Sequence, residues 1–137
     1  MGCDCDEEFP IREAWTRQID LIEIDDERDA VTDNGQETYN LLTKHGIENI
    51  ILMGVHLNMC VLGRPVGIRQ MVNIGKNVVI MRDMTDTMYN PKKRPFVSHF
   101  EGTDLVVKHV EKFWCPSITS TAITGKKAFQ FKNDPRK

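Results

Sequence analysis

The chain has 137 residues, enough for one domain or part of one. Its hydrophobic fraction of 40%, charged fraction of 28% and net charge of −2 are typical of an ordinary globular protein rather than a basic nucleic-acid-binding one. No window approaches the roughly 18 consecutive apolar residues of a membrane span. We therefore expect neither nucleic acid nor a membrane as partner.

The chain start and the cysteines predict the compartment. No charged segment followed by an apolar one opens the chain, so we expect a cytoplasmic protein. Four cysteines are too few and too scattered for a disulfide scaffold, and reduced thiols are expected. A zinc site built on Cys3, Cys5, Cys115 and a histidine is an alternative, although zinc-binding pairs more often lie two to four residues apart.

The first third of the chain predicts a loop, a strand and a helix. Residues 1–18 have no apolar period and are predicted as an N-terminal loop, whereas residues 19–24 alternate as an edge strand does. Asp33 is the predicted N-cap of a helix, with Gln36 as its capping-box partner. That helix runs to about His45 and ends at Gly46, and its predicted buried side consists of Tyr39, Leu42 and Ile47.

Two short apolar runs, at residues 49–54 and 77–81, predict buried strands. Between them the apolar positions fit a helix that ends near Ile74. Because Pro65 is tolerated only near a helix start, regular helix begins near Arg64, or it begins at Cys60 and is kinked.

The last third of the chain predicts a loop, a helix and a tail. Residues 83–91 are predicted as a polar loop at the carboxyl end of the second buried strand, and Thr103 or Asp104 opens a helix that buries Val106, Val110 and Phe113. Residues 117–137 are predicted as an irregular basic tail. Strand–helix units in series indicate an α/β fold with a parallel sheet.

Cys60 is the first candidate for chemistry because it follows a predicted strand at the sheet edge where ligands bind. The N-terminus of a following helix favours a thiolate, and the backbone N–H groups of Met59, Cys60 and Val61 are a candidate oxyanion hole. The alternative is an inert buried thiol.

Polar neighbours of Cys60 offer further candidates. His56 is a candidate base or substrate contact, or else a structural histidine, and Asn58 either contacts substrate or holds the turn. Arg64 and Arg69 have the guanidinium geometry that binds a substrate carboxylate, with ion pairs to Asp83 or Asp86 as the alternative.

The segment from Gly54 to Val61, GVHLNMCV, resembles the nucleophile motif of the isochorismatase-like cysteine hydrolases. The similarity extends through most of residues 1–125, over the stretches RDMTDTMYNP and SHFEGTD, to an uncharacterised bacterial subgroup of that family. The resemblance implies a three-layer α/β/α, Rossmann-like fold with a six-stranded parallel sheet and frequent homo-oligomers.

The resemblance also implies a reaction and a site. Members hydrolyse amides or related C–N or C–O bonds of small molecules through a covalent cysteine intermediate, which makes Cys60 the nucleophile. The implied substrate-binding residues are His56, Leu57, Asn58 and Arg64, and an unusual cis peptide is implied at His56-Leu57. No cofactor and no metal are expected.

The chain departs from the family pattern at several positions. The family's catalytic aspartate ends a central first strand, and the chain resembles the part of the family that follows this strand. Residues 25–29, DDERD, match the neighbourhood of the catalytic lysine and contain none, and Leu57 stands where threonine is common. We therefore expect residues 19–116 to be the carboxyl-terminal part of an isochorismatase-like domain. A non-catalytic binding or scaffolding protein of the same fold is the alternative.

Overall fold

A computed structural model describes residues 17–136, and Cys3 and Cys5 lie outside this range. Within it, the regular elements are four α-helices, three β-strands and one turn of π-helix. In chain order they are α1 (Gly35–Lys44), β1 (Asn49–Val55), the π-turn (Leu57–Val61), α2 (Ile68–Asn73), β2 (Asn77–Asp86), α3 (His99–Phe113), β3 (Ser117–Ile118) and α4 (Thr121–Thr124).

The three strands described form one parallel sheet in the order β1-β2-β3. Asn49 pairs with Asn77 at one end, and Val55 pairs with Asp86 at the other, after a register shift between Leu52 and Gly54. The α/β class and the parallel sheet are confirmed. The three-layer isochorismatase-like arrangement and its six strands stay predictions.

One face of the sheet carries the core. Val78 and Ile80 of β2 are buried in a cluster with Ile68 and Met71 of α2, Val107 and Val110 of α3, and Leu57 of the π-turn. On β1, Ile50 and Leu52 pack against this cluster, whereas Ile51, Met53 and Val55 remain exposed. The alternation follows the two-residue period of a strand.

The predicted strand at 19–24 is wrong. These residues form turns and irregular backbone, and Ile19, Leu21, Ile22 and Ile24 are exposed, with Leu21 at 88%. Alternating side chains favour a strand only where a neighbouring strand takes up the backbone hydrogen bonds, and none of the three described strands pairs with residues 19–24.

Helix α1 begins one residue later than predicted. Asn34, not Asp33, is the N-cap, and its side chain accepts hydrogen bonds from the N–H groups of Gln36 at 2.9 Å and Glu37 at 3.1 Å. Gly46, with φ 63°, ends the helix as predicted. The predicted buried side is wrong for Tyr39 and Ile47, which are exposed, and Leu42 alone of the three packs on the core.

Helix α3 begins at His99, before the predicted start, because Ser98 and Glu101 form a capping box. Ser98 Oγ accepts from the Glu101 N–H at 3.2 Å, and the Ser98 N–H donates to Glu101 Oε2 at 2.8 Å. The helix buries Val110 as predicted, but Phe113 is exposed.

The segment after Cys115, predicted as irregular, is partly regular. Ser117 and Ile118 pair with Ile80 and Met81 as the third strand, and α4 follows. Asp83 fixes this segment, because its carboxylate accepts hydrogen bonds from Ser120 N, Ser120 Oγ and Phe129 N at 2.8, 2.5 and 2.9 Å. Within residues 17–136 no helix has the length and apolar character needed to cross a membrane.

Candidate functional site

Cys60 lies in the single π-turn that follows β1, at the carboxyl edge of the parallel sheet. Its side chain is exposed and forms no disulfide with any cysteine of residues 17–136. The structure therefore places an accessible thiol at the sheet edge where the sequence analysis predicts one. The turn continues as helix through Leu62 and Gly63, and the next helix, α2, begins at Ile68, with Gly67 as its N-cap. The start of α2 is thus several residues from the thiol, which weakens the predicted influence of a helix dipole.

Hydrogen bonds within the turn engage most of the predicted oxyanion hole. The N–H groups of Met59 and Val61 both donate to the backbone oxygen of His56, at 3.0 and 3.2 Å. Two of the three predicted donors are thus engaged within the turn. The N–H of Cys60 is the remaining candidate for binding an oxyanion.

Leu57 and Asn58, implied as substrate contacts, both have roles in the scaffold of the turn. Leu57 is 0% exposed and belongs to the hydrophobic core, so its side chain cannot contact a substrate. The side-chain amide of Asn58 is hydrogen-bonded to the main chain of Met88. Its Nδ2 donates to Met88 O at 2.9 Å, and its Oδ1 accepts from Met88 N at 3.0 Å. Asn58 therefore holds the turn against the segment that follows β2.

His56 and Arg64 flank the π-turn. His56 is half-buried and follows a cis peptide at Val55-His56, one residue earlier than the cis peptide implied by the resemblance. The Arg64 N–H donates to Cys60 O at 3.1 Å, so its backbone is tied to the turn. Its guanidinium lies 3.5 Å from Asp33 Oδ2, not beside Asp83 or Asp86.

The same sheet edge carries a hydrogen-bonded group centred on Asp86, the last residue of β2. Nε2 of His99 lies 2.8 and 3.0 Å from the two carboxylate oxygens of Asp86. Oγ1 of Thr103 lies 3.1 Å from Asp86 Oδ1 and 2.7 Å from Oγ1 of Thr87. Because Asp86 pairs with Val55 in the sheet, this group lies beside the start of the Cys60 turn.

The orientation of His99 limits its chemistry. In a nucleophile–histidine–aspartate triad, one ring nitrogen faces the carboxylate and the other faces the nucleophile. Here Nδ1 faces the backbone oxygen of Tyr89 at 3.4 Å, so both ring nitrogens face acceptors of the scaffold. His99 therefore orients Asp86 and the start of α3, and in this geometry it does not present a base to Cys60.

Asp86 is a candidate ion-pair partner from the sequence, whereas His99 is not among the predicted site residues. The missed signal is the spacing Ser98-x-x-Glu101, which predicts a helix start at this position and would have placed His99 in the first turn of the helix. The contact with Asp86 joins residues 13 apart, and no local pattern reports such a pairing.

The structure gives the zinc hypothesis no ligand group among residues 17–136. No cluster of three or more His, Cys, Asp or Glu side chains in that range has the geometry to hold a metal ion. Cys115 is buried in the hydrophobic core, and burial raises the pKa of its thiol to about 11. A metal would have to displace the proton that this environment favours.

Comparison with known proteins adds no relative to these observations. No protein-family model matches the chain, and neither the curated proteins nor the solved structures contain a match.

Proposed function

We propose that the chain is an isochorismatase-like hydrolase that cleaves an amide or a related C–N or C–O bond of a small molecule, with Cys60 as nucleophile. The observation that carries the proposal is the exposed thiol of Cys60 in a tight turn at the carboxyl end of a parallel strand. The resemblance of residues 54–61 to a nucleophile motif supports the same role.

The chemistry has two steps. The Cys60 thiol loses its proton to solvent, and the thiolate attacks the substrate carbonyl carbon. The C–N or C–O bond breaks as a thioester forms, and the departing amine or alcohol takes a proton from water. Water then attacks the thioester, releasing the acid and restoring the thiol. The Cys60 N–H is the candidate donor to the oxyanion in both steps.

The scaffold supports this role by fixing the turn. Asn58 bonds the turn to Met88, and His99 bonds Asp86 beside it. Gly67 packs against the last carbonyls of the turn, and an added Cβ there would lie 2.6 Å from Val61 O. A nucleophile needs this kind of restraint, because small displacements of the attacking atom cost rate.

A second candidate is a non-catalytic protein that binds small molecules on the same scaffold. Two observations favour it: the Met59 and Val61 N–H groups are engaged by His56 O, and His99 faces Tyr89 instead of the thiol. In either case we propose a cytoplasmic protein that acts as a homo-oligomer.

Turnover of p-nitrophenyl acetate separates the two candidates. The background variant carries Cys3→Ser and Cys5→Ser, so that Cys60 is the accessible thiol and Cys115 remains buried. The hydrolase proposal predicts release of more than one equivalent of p-nitrophenol, abolished by Cys60→Ser and retained in Cys115→Ala. Equal release with and without Cys60 would contradict the proposal, and release that stops at one equivalent would favour the binding protein.

A further inference from the structure

A cavity of about 660 Å³ lies between the first turns of α1 and the segment from Gly63 to Ile74. This volume falls within the range of small-molecule sites, about 300–1,000 Å³. The cavity is lined on one side by Gln36 and Tyr39, and on the other by Arg64, Arg69 and Gln70. Cys60 does not line it, so a ligand here does not depend on the reaction proposed for Cys60.

The charge of the lining is of one sign. Arg64 and Arg69 contribute two guanidinium groups, and no Asp or Glu among the described residues lines the cavity. The second cavity, of about 800 Å³ beneath residues 127–136, differs in that acidic and basic side chains alternate around it. Arg136 there already binds Asp134 and Asp104.

Neither arginine of the first cavity is held by a strong intramolecular partner. Arg64 lies 3.5 Å from Asp33, whose carboxylate is 87% exposed, and an exposed ion pair of this kind contributes little to stability. Arg69 stacks over the ring of Trp114 at 5.3 Å and has no carboxylate partner within residues 17–136. Both guanidinium groups are thus able to bind an external anion.

The rest of the lining suits an apolar body. Ile74, which is half-buried, forms part of the wall, and Tyr39 presents its ring from α1. The amides of Gln36 and Gln70 supply neutral polar groups. Close contact between Gly35 and Pro65 closes one end, since a Cβ on Gly35 would lie 2.7 Å from Pro65 Cβ.

We propose that this cavity binds a small organic acid, with its carboxylate held by Arg64 and Arg69 and its apolar or aromatic body against Tyr39 and Ile74. The planar guanidinium groups match the two oxygens of a carboxylate, and the apolar wall distinguishes such a ligand from inorganic phosphate.

Titration of the full chain with benzoate, followed by amide NMR signals, tests the site. Benzamide, which has the same ring without the charge, and inorganic phosphate, which has charge without the ring, serve as matched ligands. We expect saturable benzoate shifts at Gln36, Tyr39 and Gln70, and binding at least about tenfold weaker for both matched ligands.

Variants locate the contact. We expect Arg64→Gln and Arg69→Gln each to weaken benzoate binding about tenfold or more, and Arg82→Gln, an exposed arginine outside this cavity, to leave it unchanged. Arg69→Gln could unfold the chain, because it removes the stacking on Trp114. In that case Arg64→Gln alone tests the site, because the side chain of Arg64 is half exposed and its replacement should leave the fold intact. Absence of saturable benzoate binding, equal binding of phosphate, or unchanged binding in Arg64→Gln would overturn the proposal.

Discussion

The side-chain amide of Asn58 forms two hydrogen bonds with the main chain of Met88, one through Nδ2 at 2.9 Å and one through Oδ1 at 3.0 Å. The pair connects the Cys60 turn to the segment that follows β2, 30 residues later. The Cys60 turn is thereby held in a fixed position at the sheet edge.

Asn58→Ala is expected to lower the free energy of unfolding by about 1–2 kcal/mol, since it removes both bonds to Met88. Local opening should rise more than global unfolding, so amide exchange at Met88 should accelerate. Asn73→Ala, at an exposed position on α2, is the matched control and should leave that exchange rate unchanged. Unchanged exchange at Met88 in Asn58→Ala would contradict a restraining role.

Asp86→Asn is expected to cost about 2 kcal/mol of stability in urea unfolding, because the carboxylate accepts hydrogen bonds from both His99 and Thr103. Asp26→Asn, at a fully exposed loop position, should change stability by less than about 0.5 kcal/mol. A double-mutant cycle with His99→Asn should show that the two changes are not additive. Strict additivity would mean that Asp86 and His99 do not interact in solution.

Glu101 gives the capping box a pH dependence. Its pKa is lowered because the carboxylate accepts a hydrogen bond from the Ser98 N–H and then one from the Ser98 side chain. A lowered carboxyl pKa contributes stability above the ordinary value of 4.5, and this contribution is lost as the pH falls through the folded value.

The melting temperature of wild type should therefore exceed that of Glu101→Gln at neutral pH, and the difference should shrink on acidification below pH 4.5. Glu37→Gln, in the first turn of α1, serves as a comparison without a capping box. A difference in melting temperature that grows on acidification would contradict the assignment.

Cys115 should behave as a protected thiol. Burial raises its pKa from the ordinary 9.0 to about 11, so the stability contributed by its neutral form is full below pH 9 and is lost as the pH rises toward 11. The stability of wild type relative to Cys115→Val should accordingly fall as the pH is raised through this window.

Alkylation provides an independent check on Cys115. At neutral pH iodoacetamide should modify the exposed Cys60 in the folded chain and reach Cys115 only after urea is added. Equal labelling of both thiols in the native chain would be inconsistent with the burial of Cys115.

Local patterns predict part of this fold well. Strand β1 and residues 77–81 of β2 follow from two short apolar runs, and the end of α1 follows from Gly46, because each signal lies within the element that it specifies. The predicted loop at residues 83–91 is wrong in its first part, because β2 continues through Asp86. Residues 19–24 carry an equally regular alternation and form no strand, since a strand also requires a partner. Ser117 and Ile118, in contrast, form a strand with β2 although their sequence carries no local strand pattern.

At the site, too, local features are predictable from the sequence and long-range contacts are not. The position of Cys60 at the end of a strand is predictable from the sequence, and its exposure agrees with a role in chemistry. The burial of Leu57 and the use of the Asn58 amide depend on α3 and on Met88, which lie far away in the chain. Of the two roles predicted for Asn58, holding the turn is therefore the one that the structure shows, and the side chain of Leu57 packs in the core.

The most direct test of Cys60 as nucleophile is to identify the covalent intermediate. The variant carrying Cys3→Ser and Cys5→Ser is mixed with p-nitrophenyl acetate, quenched in acid at intervals, and analysed by intact mass and peptide mapping. The account predicts one acetyl group on the Cys60 peptide that appears early and disappears as hydrolysis proceeds. No acetylation of Cys60, or acetylation confined to lysine and unchanged in Cys60→Ser, would contradict it.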